Sequence, residues 1–511
     1  MLSRRGFLGG SLASLAVGCA RSLAGGGEAG PGPLIQTKLP RITHGVQAGD
    51  PQRGRANVWA RCDEPARMIV EWDTTPRFAH ARRLGGAVVT PEQGLAGLVA
   101  LEGLPDAQQI FYRVWFEREA ARGASIATTG RLVTPRADRV RVAWTGDTCG
   151  QGYGRNPEWG GLKGYAAIRN ANPDVFVHSG DLIYADNPIL AEKQLSDGRI
   201  WKNVTNDAVG RVAETLDDFR ARFAYNLEDE HVRALAGDVA MIAQWDDHET
   251  HNNWWPGQTL DDPRYTRERD VTTLAGYAKR ATFEWTPITR GPIQRVLHYG
   301  PLLDVFVLDC RSFRTPNGAN LGADAMLGAP QVSWLLRELA ASTARWKLIA
   351  CDQPIAIAIP DAWPPDARNF QEGFANGDPG PPRGRERELA TLLAGIRGAA
   401  GKNAIWVTAD VHYAAAHHFD PARATGVAFD PFWEFVAGPI HAGCFSPPPL
   451  DATLGPEVRF QMAPPASAGD VAPWDNQQSF GTLDVTREAV TVILWGVDER
   501  ERYRVEIPYV G

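Results

Sequence analysis

The sequence predicts a layered α/β protein preceded by a small antiparallel β-sandwich, and three observations carry that expectation. Between residues 42 and 134, short alternating apolar runs are separated by turn residues, with no long helical period among them. After Arg136, apolar runs of strand length alternate with stretches of helical spacing. Several of these later runs end in aspartate, which places carboxylates beyond the carboxyl ends of sheet strands, where layered α/β proteins build their sites.

At 511 residues the chain exceeds what one core usually supports, so two domains are expected. A hydrophobic content of 44% and a charged content of 22% are those of an ordinary globular protein. The formal charge of −7 argues against a protein that binds nucleic acid by neutralising its phosphates. Seventeen tryptophans and 37 prolines point to long, ordered loops.

Ser3-Arg4-Arg5-Gly6-Phe7-Leu8 is a twin-arginine pattern, and the apolar run after it is too short to span a membrane. It reads as a signal for the twin-arginine export machinery and predicts a periplasmic or secreted protein. Cleavage after Ala24 is one expectation; acylation of Cys19 in Ala16-Val17-Gly18-Cys19, giving a lipid anchor, is the other. That route carries folded proteins, often with a cofactor already bound. Beyond the signal, Cys62, Cys149, Cys310, Cys351 and Cys444 are odd in number and lack CxxC spacing, so no disulfide framework is expected. The organisation expected is a signal and Gly/Pro-rich leader over residues 1–37, a β-sandwich over 38–136 and a catalytic domain over 137–511.

Sandwich strands are expected at residues 56–60, 68–72 and 110–116, with His44 and Asp50 as turn formers. In the catalytic domain, strands are expected at 140–145, 174–179, 239–245, 302–308, 346–350 and 405–409, with final strands at 481–485 and 490–495. Helices are expected at 161–170, 214–225, 331–341 and 385–397. Val332, Leu335, Leu336 and Leu339 recur at helical spacing, as do Leu389, Leu392, Leu393 and Ile396.

The strand-end acids are Asp147, Asp181, Asp246-Asp247 (followed by His248-Glu249), Asp309, Asp352 and Asp410, with His412 two residues on. One such acid is often a helix cap or turn former. Gathered together they would repel one another unless cations neutralised them, so a metal centre is expected. Asp410 and His412, two apart on a strand, would share a face, whereas His417 and His418 are expected in a loop. Asp309-Cys310-Arg311-Ser312-Phe313-Arg314 follows a strand end and offers Arg311 and Arg314 either as guanidiniums that take an oxyanion with two parallel hydrogen bonds or as members of surface salt bridges.

Asp147, Gly180-Asp181-x-x-Tyr184, Trp245-Asp246-Asp247-His248-Glu249 and Asp410-Val411-His412 together resemble the PhoD-type alkaline phosphatases, a branch of the calcineurin-like metallophosphoesterases. The resemblance extends to His44-Gly45-Val46-Gln47-Ala48-Gly49-Asp50-Pro51 in the sandwich. It implies a two-sheet metallophosphoesterase sandwich flanked by helices behind a fibronectin-like β-sandwich. It also implies hydrolysis of phosphate monoesters and diesters with Fe3+ and Ca2+. By resemblance Asp181 bridges the metals, Tyr184 gives a phenolate to iron, and Asp247, Asp410 and Asn252 or Asn253 serve calcium. His412 is a further ligand candidate, and His248 assists the leaving group. The first strand departs from the family pattern: Gly146-Asp147-Thr148-Cys149 puts Asp147 at the ligand position. It leaves Cys149 as an iron ligand, a supporting group or a small buried residue. Two other functions remain open, a phospholipase D-like phosphodiesterase and a non-catalytic surface protein stabilised by metals.

Overall fold

A computed structural model describes residues 39–119, 123–362, 367–398 and 401–511; the twin-arginine segment, the leader and Cys19 lie outside them. The N-terminal strands are β1 (Ile42–Gln52), β2 (Arg55–Cys62), β3 (Ala66–Asp73), β4 (Arg82–Val89), β5 (Ala96–Glu102), β6 (Gln109–Glu117) and β7 (Thr128–Val133). One sheet of this sandwich runs β4-β3-β6-β7; β1, β2 and β5 form the other. Alternation drives the packing: Ile110, Tyr112, Val114 and Phe116 of β6 are buried, while the residues between them are half-buried.

The first half of the larger layered region holds β8 (Arg139–Thr145), α1 (Lys163–Asn170), β9 (Val175–His178) and a hairpin of β10 (Glu192–Gln194) and β11 (Ile200–Lys202). It continues with α2 (Leu216–Leu227), α3 (Glu230–Asp238), β12 (Ala240–Ala243) and α4 (Val271–Trp285). The second half holds β13 (Arg295–Tyr299), β14 (Leu303–Val307), α5 (Gly328–Ala341), β15 (Trp346–Ala350), α6 (Glu386–Gly395) and β16 (Ala404–Thr408). Then come β17 (Ala414–Phe419), β18 (Phe432–Val436), β19 (Pro456–Met462), β20 (Ser479–Thr486), β21 (Ala489–Gly496) and β22 (Glu501–Pro508).

These strands make two sheets, ordered β22-β21-β20-β8-β9-β12-β1-β2-β5 and β13-β14-β15-β16-β18-β17-β19. Trp144, Val177 and Ile242 of the first meet Leu348, Val407 and Phe435 of the second in a common core. The outer face of the first sheet is covered by α1–α4 and that of the second by α5 and α6. Ile349 of β15 packs outward against the helices while Leu348 and Ala350 pack inward, so the strand is apolar on both faces. That double burial is why the central strands read as unbroken apolar runs. Helix starts follow their caps: Thr215 and Asp218 form a capping box on α2, and Asp229 and Asp270 cap α3 and α4.

Three features differ from the sequence reading. α3 and α4 lie in a stretch where no helix was expected. His417 and His418 belong to β17 rather than a loop, and His417 is fully buried with Nδ1 2.9 Å from Glu434. The sandwich also shares a sheet with the layered region, because β1 pairs in parallel with β12 at Gly49 and Met241. Asp50, in the left-handed region at φ 43°, accepts from the Thr289 N–H at 2.6 Å and from Arg295 Nη2 at 2.8 Å. A turn former on sequence grounds thus also ties the sandwich to the chain entering β13.

Two buried histidines make the fold acid-sensitive. Burial lowers both His178 and His441 to about 4. Their folded values lie below the unfolded value, so the stability they contribute is complete above about pH 6.5 and is lost as pH falls towards 4. Each shift corresponds to roughly 3 kcal/mol at most. Urea midpoints measured across this window should fall with acid. His441→Gln, which keeps a donor for the Gly154 carbonyl, should flatten part of that slope; an unchanged slope would remove His441 from the account.

Candidate active site

The site lies beyond the carboxyl ends of β8, β9, β12 and β16, where the chain leaves each strand in a tight turn. Asp147, Asp181, Asp410 and His412 all sit in the left-handed region, at φ 67°, 52°, 67° and 60°. Asp and His tolerate this better than bulkier residues, but each costs on the order of 1 kcal/mol. Glycine makes the approach possible: a Cβ on Gly180 would lie 2.5 Å from that of Asp246, and one on Gly438 2.7 Å from Asp147 Oδ2.

Three groups of donor atoms form here, each within 4.8 Å internally: Asp147–Asp181–His412, Asp181–Asp247–His248 and Asp246–Asp247–Asp410. The first two share Asp181, and the last two share Asp247. The Tyr184 hydroxyl lies 2.9 Å from His412 Nε2 and 3.2 Å from Asp147 Oδ1, so a phenol joins the first group. His412 Nδ1 is hydrogen-bonded to the Gly443 carbonyl oxygen, which leaves Nε2 for the site. Asp410 and His412, expected on one strand face, instead follow β16 in a turn that sends them to different groups.

The electrostatics call for positive charge. Burial and the neighbouring carboxylates hold Asp181 and Asp410 well above the usual range, and Asp246 is pushed up to about 6. Asp147 Oδ2 and Asp247 Oδ1 are buried without a hydrogen-bond partner. Buried acids in this state take up protons or bind cations. Shared carboxylates, the His412 imidazole and the Tyr184 phenol form a donor set that fits cations.

His248 and its surroundings are built differently. Its Nδ1 is 2.7 Å from Asp186 Oδ1, and its ring stacks on Tyr184 with centroids 4.0 Å apart. Burial would lower its pKa, but Asp186 and Asp247 raise it to about 9. Sequence reading missed Asp186, although it lies only two residues after Tyr184. It also gave no role to Glu249, whose buried carboxylate accepts the N–H groups of Asp181, Leu182 and Asp246 and so clamps two strand ends together.

Two residues with alternatives left open take the structural one. Cys149 joins none of the donor groups among the described residues: it packs in the apolar core with Leu162, Tyr165 and Ile183, and burial pushes its thiol pKa up. Arg311 is no open phosphate clamp. It is fully buried, with Nε 2.6 Å from Asp246 and a terminal nitrogen on Glu372, which also takes Arg314. Asn252 does line the site's cavity of about 780 Å³, and its N–H donates to Asp186; the Asn253 N–H donates to Asp247 at 2.6 Å. The arginine lining that cavity is Arg264, held by Asp262 at 2.7 Å and by the Asp186 carbonyl oxygen at 3.0 Å.

Residues 142–494 match the family described as PhoD-like phosphatase, and residues 30–136 match its N-terminal domain. The chain belongs to the PhoD-like phosphatase family. Alkaline phosphatase D of Bacillus subtilis (strain 168) is 25% identical over 438 residues, covering 79% of this chain and 70% of that protein. A solved structure of PhoD superposes with a TM-score of 0.68 at 18% identity, covering 94% of each chain. A purple acid phosphatase from yellow lupin seeds reaches 0.58 at 12% identity, covering 93% of this chain and 75% of that one. Both structures share the two-sheet fold. The protein is therefore a phosphatase acting on a phosphate ester, and the non-catalytic surface role falls away.

The Asp186–His248 pair gives a test of how this phosphatase works. Turnover of a phosphate monoester should fall by roughly 10²-fold in His248→Ala and by a similar or smaller factor in Asp186→Asn. The double variant should be no slower than His248→Ala, because Asp186 acts through the ring. Multiplied losses in steady-state kinetics would show that the two act separately.

Proposed function

We propose that this phosphatase hydrolyses phosphate monoesters outside the cytoplasm with ferric iron and calcium, which Asp181 and the acids and His412 around it would hold. The observation that carries the proposal is that one donor, Asp181, lies within 4.8 Å of Asp147 and His412 in one group and of Asp247 in another. Asp147, Asp181, Tyr184 and His412 would hold the iron, since carboxylate, imidazole and phenolate suit a hard trivalent ion. Asp181, Asp247 and Asp410 offer oxygens alone, with Asn252 at the cavity edge, and suit calcium. Bound cations would supply Lewis-acid charge to the phosphoryl oxygens and acidify the attacking water.

The chain's own residues do the rest. Asp186 fixes the His248 ring so that Nε2 carries a proton to the leaving oxygen. Arg264 and Asn252 at the rim orient the ester. The carboxylates around the centre are fixed before substrate arrives, because Glu249 and Arg311 already hold the backbone and side chains beneath them. The cavity also leaves room for a second esterified group against Leu260, Ile359 and Phe445, which favours diesterase activity as the second reading.

Metal analysis joined to a visible spectrum tests the assignment. The active protein should carry iron and calcium and show a phenolate-to-iron absorption band that Tyr184→Phe abolishes. Asp181→Asn should lose at least about 10³-fold in turnover of a chromogenic monoester and of its diester. A colourless, zinc-only active protein would sink the iron assignment while leaving the phosphatase in place.

Export rests on Arg4-Arg5, which lie outside the described residues; among those described, no helix is long and apolar enough to cross a membrane. With Arg4 and Arg5 changed to lysine, cell fractionation should find the full chain in the cytoplasm, whereas the natural sequence reaches the periplasm or medium. A membrane fraction lost in Cys19→Ala would establish the lipid anchor.

A further inference from the structure

We infer that Cys310, Cys351 and Asp352 form a third cation site, selective for a soft divalent ion of the zinc class and chemically distinct from the groups around Asp181. β14 and β15 are parallel neighbours paired from Leu303 and Trp346 to Val307 and Ala350. The residues leaving their carboxyl ends therefore emerge side by side. The two sulfurs lie 3.5 Å apart, and with a carboxylate oxygen of Asp352 all three donors fall within 4.8 Å of one another. That sulfur spacing far exceeds the roughly 2.05 Å of a disulfide. It is close to the roughly 3.8 Å that two thiolates take up when each lies about 2.3 Å from one tetrahedral zinc.

The carboxylate supplies an independent observation. Asp352 is fully buried, and neither of its oxygens has a hydrogen-bond partner. The guanidinium whose charge reaches it, that of Arg311, is already bound to Asp246 and Glu372. The carboxylate thus shares the Arg311 charge with two other acids and lies beside the like-charged Asp246, with the two thiols completing its surroundings. Sulfur also sets the preference: the groups around Asp181 offer oxygen and imidazole, whereas two thiolates and one carboxylate select a softer ion. Binding involves no oxidation, and the two thiol protons leave to solvent as the ion enters. The Cys351 thiol donates to the Gln353 carbonyl oxygen at 3.1 Å, a bond given up when its sulfur takes the ion. The ion would pin the ends of β14 and β15 beneath Asp246 and the Asp309–Arg311 turn, a supporting role rather than a catalytic one.

Cobalt makes the site visible. The full-length folded protein, reconstituted with Co2+, should bind one ion that gives near-ultraviolet sulfur-to-cobalt charge transfer, which the oxygen and imidazole groups around Asp181 cannot produce. The C310S/C351S double variant should lose that band and one ion per chain while keeping the ions at the other groups. Cys149→Ser should leave the band unchanged. Should the double variant fail to fold, Asp352→Asn keeps both thiols and should weaken cobalt binding at this site at least tenfold. Absence of the band, with both thiols reacting freely on unfolding, would overturn the site. So would a mass lower by two hydrogens, which marks a disulfide. Because the iron–phenolate band lies in the visible and belongs to Tyr184, either assignment can fail without the other.

Discussion

The structure depends on one constraint: the buried carboxylates Asp147, Asp181, Asp246 and Asp247, with half-buried Asp410, are gathered into linked donor groups, each no more than 4.8 Å across. Left alone, such a set would scatter or take up protons. The fold prevents scattering by mounting each acid on the rigid end of a parallel strand and bracing those ends from behind. Glu249 ties the β9 end to the β12 end through three backbone N–H groups. Arg311 brings a cation to Asp246 from the adjoining sheet, and Glu372 in turn gathers Arg311 and Arg314. These buried pairs add little net stability once desolvation is counted, yet removing one partner would strand a charge. Their effect is to fix where the acids stand.

That bracing shows why some of the site was legible in the sequence and some was not. The strands that deliver Asp181, Asp247 and Asp410 are buried on both faces, so each reads as an apolar run broken by an acid. The local signal is strong because the structural cause is local. Arg311 carried no such signal: a clamp for substrate and a buried ion pair look identical until its partner is known, and Glu372 lies sixty-one residues away. α3 buries only Val232 and Leu235, too short a stripe to read, whereas α4 carried a legible one that was passed over: Val271, Leu274, Ala275, Ala278, Ala281 and Trp285 recur at helical spacing behind the Asp270 cap.

Cys149 was weighed as a ligand from its place in the family motif, and Asp410 with His412 from a shared strand face; backbone geometry bears on both. Placing residues two apart on one face assumes an extended strand, and the chain at Asp147–Cys149 and at Asp410–His412 is not extended. In both segments the first and third residues are left-handed, at φ 67° and 64° and at φ 67° and 60°. At the first, the turn leaves Asp147 in the site and buries Cys149 in the core under α1. At the second, it delivers Asp410 and His412 to separate donor groups. One backbone device, used twice, thus separates side chains that a strand would have kept together.

The N-terminal sandwich extends the same logic. Its β1 pairs with β12, the strand whose end carries Asp246, Asp247 and His248, so the sandwich sheet continues the sheet that bears the site. Asp50 then holds Arg295, whose Nη2 also donates to the Ala243 carbonyl oxygen at the end of β12. A strand only four residues long has few ladder bonds of its own to fix its position. Flanked by β9 on one side and β1 on the other, it becomes an interior strand, and the Asp50–Arg295 pair pins its carboxyl end. The sandwich contributes no donor to the candidate site among the described residues, yet it borders the strand on which two of the three donor groups depend.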